Sequence, residues 1–379
     1  MAKVDQPTTT QNSGAPPAGL LQSHLPSLDG MRAISILLVL AFHAYVSYVH
    51  PADGSSYWWY LGRVGVYIFF VISGLLITWL MIRERDAVGT FSLRNFYIRR
   101  FLRILPVFWL LILTVIVLKW AHVISIGRYD ILRAVTFTHN YPASIAHPEW
   151  FAGWLDHTWS LSLEEQFYLL WPSLFALLPK RMAPRVALAL TFSGPILRAF
   201  VYFALPQLRG LDNNGFESLV DLPMAGCASA FLLDSPRWLD RIRRIPVWPI
   251  LAASSTFLFA IDPILAGHLS AASTPSLIAG FLLPTFEAIA IALALLAVVA
   301  SHRGLPFRLL NSRVATHIGK LSYSLYIWQQ LFLVPHTKGS IFSLSWRLVA
   351  AYLTALCSFR FVEQPFVKLR SKFRHGVSV

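Results

Sequence analysis

Apolar runs of about twenty residues follow one another along most of this chain, separated by short polar segments. A helix rising about 1.5 Å per residue needs about twenty residues to cross a hydrocarbon core of about 30 Å. Hydrophobic residues make up 56% of the 379 residues and charged residues 13%, with a mean hydropathy of +0.56. A soluble protein of this length would need far more polar surface, so the composition excludes one. The fold class is all-α, a polytopic transmembrane helical bundle of about ten spans with cytoplasmic N- and C-termini. The runs fall near residues 28–49, 61–82, 104–124, 158–179, 186–205, 219–234, 246–267, 276–300, 319–337 and 345–363. Residues 1–24 are rich in Thr, Gln, Pro, Ser and Gly and read as a disordered cytoplasmic tail. They lack the basic region and short apolar core of a cleaved leader, so the first run is a retained span. Residues 25–370 form the membrane domain, and 371–379 a basic cytoplasmic tail.

The basic residues test this arrangement. With the N-terminus inside, 24 of the 32 Lys and Arg fall on cytoplasmic segments, the three-to-one bias of the positive-inside rule. The formal net charge of +14 therefore follows from topology and calls for no nucleic-acid partner. The two cysteines, Cys227 and Cys357, lie in apolar runs and read as packing residues.

The first span, Ser27–His50, carries ionisable groups that a plain anchor would lack. Arg32 and His43 are eleven residues apart, which returns a helix to within about 20° and separates them by about 16 Å along its axis. Asp29 lies within about 40° of the same face. Intramembrane charge is expensive and points to function; the bland alternative is an anchoring Arg32 and a packed His43.

Other segments add polar groups. Gly62, Gly65, Ser73 and Gly74 in the second span permit close helix approach. Arg94, Arg99, Arg100 and Arg103 crowd a cytoplasmic segment with Phe91, Phe96, Tyr97 and Phe101. That combination suits phosphate and base recognition, or headgroup anchoring. Glu164 and Glu165 stand in the apolar run HTWSLSLEEQFYLLWP, about 100° apart around the helix, so they are not a paired acid and base. One of them orients a histidine, binds substrate hydroxyls or pairs with an arginine. Asp212, Asn213, Asn214 and Glu217 give an outer loop groups that suit sugar hydroxyls. Asp262 and Glu287 are lone carboxylates with no assignable partner. Ser322, Tyr323, Ser324, Tyr326 and Trp328 give the ninth run polar and aromatic faces. Glu363 and Pro365 mark the end of the tenth, where Glu363 pairs with an arginine. There is no P-loop, dinucleotide glycine motif, metal-type His/Cys spacing or nucleophile elbow, so any chemistry belongs to groups inside the bundle.

Taken together, LDGMRAISILLVLAFH, GVYIFFVISGLLI, FYIRRFLRILP, TWSLSLEEQFYLLWP, SYSLYIW and FVEQPFVKL resemble the type-3 acyltransferases, membrane enzymes that move acyl groups onto sugars and other hydroxylated acceptors. The pieces stand in the family's order and span Leu28 to Leu369. The resemblance implies a bacterial inner-membrane enzyme and an acyl-CoA donor, often acetyl-CoA, as co-substrate on the cytoplasmic side. It implies no bound cofactor and no metal. It implies an essential histidine at His43 with Arg32 as its motif partner, a donor-site role for Arg100 and Arg103, and polar roles for Glu164 and the SYSLY segment. Gln329 and Gln330 follow Trp328 where many members carry His-Trp-Pro, so a histidine role there is lost. Some members carry an added outer hydrolase-like domain; this sequence shows none and is expected to act alone or to pass its acyl group to a partner.

On this reading His43 is the general base, assisted by Arg32 and Glu164, while Arg94, Arg99, Arg100 and Arg103 bind the phosphates of CoA. Glu165, Ser322, Tyr323 and Tyr326 bind the acceptor, a sugar, surface polysaccharide, lipopolysaccharide or other glycolipid, with a macrolide-type small molecule as the alternative. A transporter or flippase is the rival class, since intramembrane charge suits it equally, but no internal repeat is visible.

Overall fold

A computed structural model describes residues 25–49, 57–141, 153–205, 214–268, 274–333, 341–369 and 373. The expected tails lie outside these residues apart from Phe373, as do Asp212 and Asn213.

Among the described residues every regular element is helical. In order they are α1 (Leu28–Val49), α2 (Tyr57–Val88), α3 (Leu93–Trp120), α4 (Arg128–Val135), α5 (Thr158–Leu177), α6 (Ala183–Ala204), α7 (Phe216–Leu219), α8 (Asp221–Asp234) and α9 (Pro236–Arg244). Next comes α10, which passes from Val247–Thr256 through a π turn at Phe257–Ile261 into Asp262–His268. Then follow α11 (Thr274–Ala300), α12 (Leu305–Leu310) and α13 (Arg313–Phe332). Last is α14, which passes from Ile341–Ser358 through a π turn at Phe359–Glu363 into Gln364–Leu369.

Each of the ten apolar runs carries a helix, and among the described residues six helices are long and apolar enough to cross a membrane: α1, α2, α3, α6, α10 and α11. The chain is a multi-pass membrane protein. The run near 219–234 divides into α7 and α8; the 14 residues of α8 reach only about 21 Å, short of a bilayer core of about 30 Å. The helix at 104–124 begins instead at Leu93, because Ser92 caps it by accepting the Asn95 N–H at 3.3 Å. The arginine-rich segment is therefore the first turns of a long helix.

Helix α2 is the centre of the bundle, flanked by α1 and α8, and α13 lies along the far side of α1. Gly74 faces the Pro223 carbonyl and Gly226 faces the Val71 carbonyl, so α2 and α8 meet almost backbone to backbone. A Cβ at Gly226 would stand 2.0 Å from the Val71 oxygen, against main chain that cannot rotate away. Gly226→Val is expected to remove the folded species, read as loss of a monodisperse peak in detergent size exclusion, while Gly280→Ala, which meets nothing, leaves it. On the outer side α6 presents Leu188, Phe192, Ile196, Phe200 and Phe203 as an exposed stripe, the lipid-facing surface of a spanning helix.

The two π turns share a cause. The Asp262 N–H bonds the Phe257 carbonyl and Pro263 follows; the Gln364 N–H bonds the Phe359 carbonyl and Pro365 follows. A proline ring clashes with the carbonyl four residues back, and widening the preceding turn relieves the clash. Each widened turn aims a carboxylate inward. Glu363 accepts the Ser324 hydroxyl at 2.8 Å, and α14 continues to Leu369 rather than ending at Pro365. Asp262 accepts from Arg63 at 2.9 Å, and Glu287 of α11 from the same guanidinium at 2.5 Å, so neither carboxylate is without a partner. Arg198 of α6 binds the Phe281 and Ser218 carbonyls, Thr285 and Asp221, tying α6, α8 and α11 together.

Candidate active site

Arg32 and His43 project from one face of α1 into two different cavities. The cavity around Arg32, about 80 Å³, is lined by Ser73 of α2, Arg100 and Arg103 of α3, Glu164 and Tyr168 of α5, and Ser322, Tyr323 and Tyr326 of α13. The cavity around His43, about 230 Å³, is lined by Arg63 and Tyr67 of α2, Asp156, His157 and Trp159 at the start of α5, Arg198, and Tyr326 and Gln330 of α13. Val66 and Tyr326 line both, so the two spaces share a wall.

The Arg32 cavity is rich in unspent positive charge. Arg32 leans on Asp29 at 3.6 Å. Arg100 lies over the Tyr168 ring, 5.1 Å from its centroid, and over the Phe96 ring at 5.6 Å. Neither Arg100 nor Arg103 has a carboxylate within ion-pair distance among the described residues. Glu164, the nearest acid on α5, instead accepts from the hydroxyls of Ser73 and Tyr168. Two guanidinium groups without ion-pair partners in a recess can receive an anion, and the Tyr168 and Phe96 rings hold Arg100 in place.

In the other cavity the His43 Nδ1 stands 3.1 Å from the Val39 carbonyl. A carbonyl only accepts, so Nδ1 carries the proton and the neutral ring presents Nε2 as its acceptor, with the buried Gln329 amide beside the ring. That is the state a general base requires. The Tyr326 hydroxyl at the shared wall donates to the His157 carbonyl at 3.0 Å and is hydrogen-bonded to Ser160.

Asp156 lies in the turn before α5, where its carboxylate accepts the Gly153 N–H at 2.6 Å. Burial pushes its carboxyl up to about 7. Between about pH 4 and pH 7 the folded chain keeps a proton that the unfolded chain has released, so stability falls as pH rises through that window. Asp156→Asn is expected to flatten this slope, measured as melting temperature in detergent at pH 5 and pH 7.5.

The other residues singled out in the sequence fall as follows. Ser322 and Tyr323 face the arginine cavity rather than the His43 cavity, and the Tyr323 hydroxyl donates to the Ile104 carbonyl at 2.7 Å. Glu165 lines neither of these two cavities, and its Oε1 is buried without a hydrogen bond. Arg94 is exposed, and Arg99 is held by Glu84 at 2.6 Å and by the Phe373 carbonyl at 3.0 Å, both outside the recess. Gly62 and Gly65 pack against α1, whereas Ser73 turns to Glu164. Sequence reasoning did not assign Arg63, His157, Arg198 and Gln330 to a site. Arg63 and Arg198 carried a signal, being basic residues left over from the cytoplasmic tally.

The peptidoglycan O-acetyltransferase OatA of Listeria monocytogenes is 26% identical over 368 residues, covering 92% of this chain and 56% of the relative. The O-acetyltransferase OatA of Staphylococcus aureus is 28% identical over 374 residues, covering 91% and 57%. The chain thus spans a little over half the length of these relatives. No solved structure matches it. A family model described as an acyltransferase domain matches residues 25–360, nearly all of the chain that the two cavities are built from, and the chain belongs to that family, the type-3 acyltransferases.

Proposed function

We propose that this protein is an O-acyltransferase of the bacterial inner membrane, moving an acetyl-sized acyl group from acyl-CoA to a hydroxyl of a cell-wall or surface polysaccharide. The observation that carries the reading is the pair of cavities with one wall, arginines without ion-pair partners among the described residues on one side and the acceptor Nε2 of His43 on the other. Relatives named for peptidoglycan and O-acetyl transfer support the acceptor class.

In this mechanism Arg100 and Arg103 hold the anionic donor and the thioester reaches the shared wall. His43 Nε2 takes the proton of the acceptor hydroxyl as its oxygen attacks the thioester carbonyl carbon. The tetrahedral intermediate collapses, the carbon–sulfur bond breaks, and the thiolate recovers the proton from the imidazolium. The products are an ester and free CoA. On this reading both termini and the donor lie on the cytoplasmic side.

The test uses membrane vesicles and acetyl-CoA labelled in the acetyl group. Wild-type protein is expected to consume thioester and place label in the glycan fraction. Sugar movement without donor consumption would replace this reading with a transporter. Arg103→Ala is expected to raise the KM for acetyl-CoA by about ten- to a hundredfold, the loss of a charge-assisted hydrogen bond. Arg99→Ala, already paired to Glu84, is expected to leave that KM unchanged, which initial-rate measurements on both variants check.

A further inference from the structure

The cavity that holds His43 is lined by a second imidazole, whose ring packs edge-on against Tyr326 and whose nitrogens find no hydrogen bond among the described residues. His157 is 2% exposed, and neither of its ring nitrogens makes a hydrogen bond within the described residues. The Ile327 carbonyl lies near the ring without hydrogen-bond alignment. A rotation that satisfied one nitrogen there would leave the other bare, because a neutral imidazole has one donor and one acceptor. Buried polar groups in this condition are rare and costly, and the cavity into which the ring faces is where a partner would lie. Gln330 lines the same space, and its Oε1 is likewise unpaired.

The cavity's charges narrow the partner. Its two guanidinium groups are already committed: Arg63 to Asp262 and Glu287, Arg198 to Asp221, with all three carboxylates fully buried. Among the described residues an anionic ligand would meet no uncompensated guanidinium there, and would meet Asp156 on the wall. Recognition must run through hydrogen bonds to uncharged groups. The space of about 230 Å³ corresponds to about eight waters, the scale of one sugar ring.

Two acceptor imidazole nitrogens need two protons to accept, and one hydroxyl supplies one. Resting on the reading of this space as the acceptor site, we propose that His157 binds the acceptor, and that the acceptor is an uncharged sugar ring. That ring presents a second hydrogen-bond donor, a hydroxyl or an acetamido N–H, beside the hydroxyl that is acylated. His43 takes the proton of the reacting hydroxyl, and His157 accepts from its neighbour and fixes the ring's orientation. Gln330 accepts a further donor where the ring offers one.

The test follows labelled acetyl transfer from acetyl-CoA by the full chain in vesicles. Its probes are methyl glucoside, methyl 2-deoxyglucoside, methyl N-acetylglucosaminide and methyl glucuronide, each as acceptor and as competitor of label entering the endogenous glycan. The wild type is expected to use or be inhibited by the glucoside or the N-acetyl glycoside about tenfold better than the 2-deoxy form, and the glucuronide least; which of the first two leads identifies the second donor. His157→Phe is expected to raise the acceptor KM about tenfold, leave the donor KM unchanged and erase the preference over the 2-deoxy probe. His157→Gln, which still accepts a hydrogen bond, is expected to restore part of that preference. Unchanged acceptor KM and preference in both variants would overturn the proposal, as would a glucuronide that serves as well as the glucoside. Intact donor consumption with no response to any glycoside would overturn it and leave the acyltransferase reading standing. No donor consumption by the wild type would overturn both.

Discussion

His43→Gln is expected to lower acyl transfer by about 10²–10⁴-fold, the range for loss of a general base, while the protein remains folded. Glutamine nearly matches the size of the ring and can donate to the Val39 carbonyl in place of Nδ1. What it lacks is an acceptor basic enough to take a hydroxyl proton in the transition state. The checks are labelled acetyl transfer in vesicles at matched protein levels and the melting temperature in detergent. A variant that melts normally and transfers at close to the wild-type rate would remove His43 from the mechanism. Because Nδ1 is engaged by a main-chain carbonyl of its own helix, the ring's tautomer is set before any substrate arrives.

Arg198→Leu is expected to destabilise the protein strongly without touching the reacting atoms. Arg198 is 5% exposed and Asp221 is 0% exposed. Removing the guanidinium strands the carboxylate and two main-chain carbonyls, those of Ser218 and Phe281, in the interior. Breaking a buried pair from one side typically costs about 3–5 kcal/mol. The double variant Arg198→Leu/Asp221→Leu leaves no buried charge and is expected to recover part of the loss. Thermal melting of the wild type, the single variant and the double variant in one detergent decides the matter. A double variant less stable than the single would mean that the carbonyl partners, not the stranded charge, carry the cost.

Six of the ten expected spans are helices long and apolar enough to cross a membrane, and they were legible because their signal is local: twenty apolar residues declare themselves without reference to the rest of the chain. The short α8 was read as a span because hydropathy does not reveal that a helix is covered by its neighbours; its Gly226 meets α2, not lipid. Arg32 and His43 could be placed on one face from their spacing alone. That they enter two separate cavities depends on Val66, from α2, and Tyr326, from α13, which close the space between them. Asp262 and Glu287 looked solitary because their shared partner, Arg63, lies 199 and 224 residues away in the chain. The proline after each π turn was visible, yet Pro365 read as a stop; only packing settles whether a helix at a proline ends or widens. Arg99 and Arg103 look equivalent in sequence. Glu84, near the end of α2, takes the first out of circulation, and nothing among the described residues takes the second.

The shared wall has a bearing on the cell's energetics as well as on catalysis. Had the two recesses been one continuous polar passage lined by histidines and arginines, they would have offered protons and small anions a path across the bilayer. The Val66 and Tyr326 side chains stand between the two recesses. In the proposed mechanism only the acyl group crosses that wall, as a covalent bond, and ions do not. A smaller residue at either position would be felt first as a leak: Tyr326→Ala vesicles should lose an imposed pH gradient faster than wild type, whether or not any substrate is present.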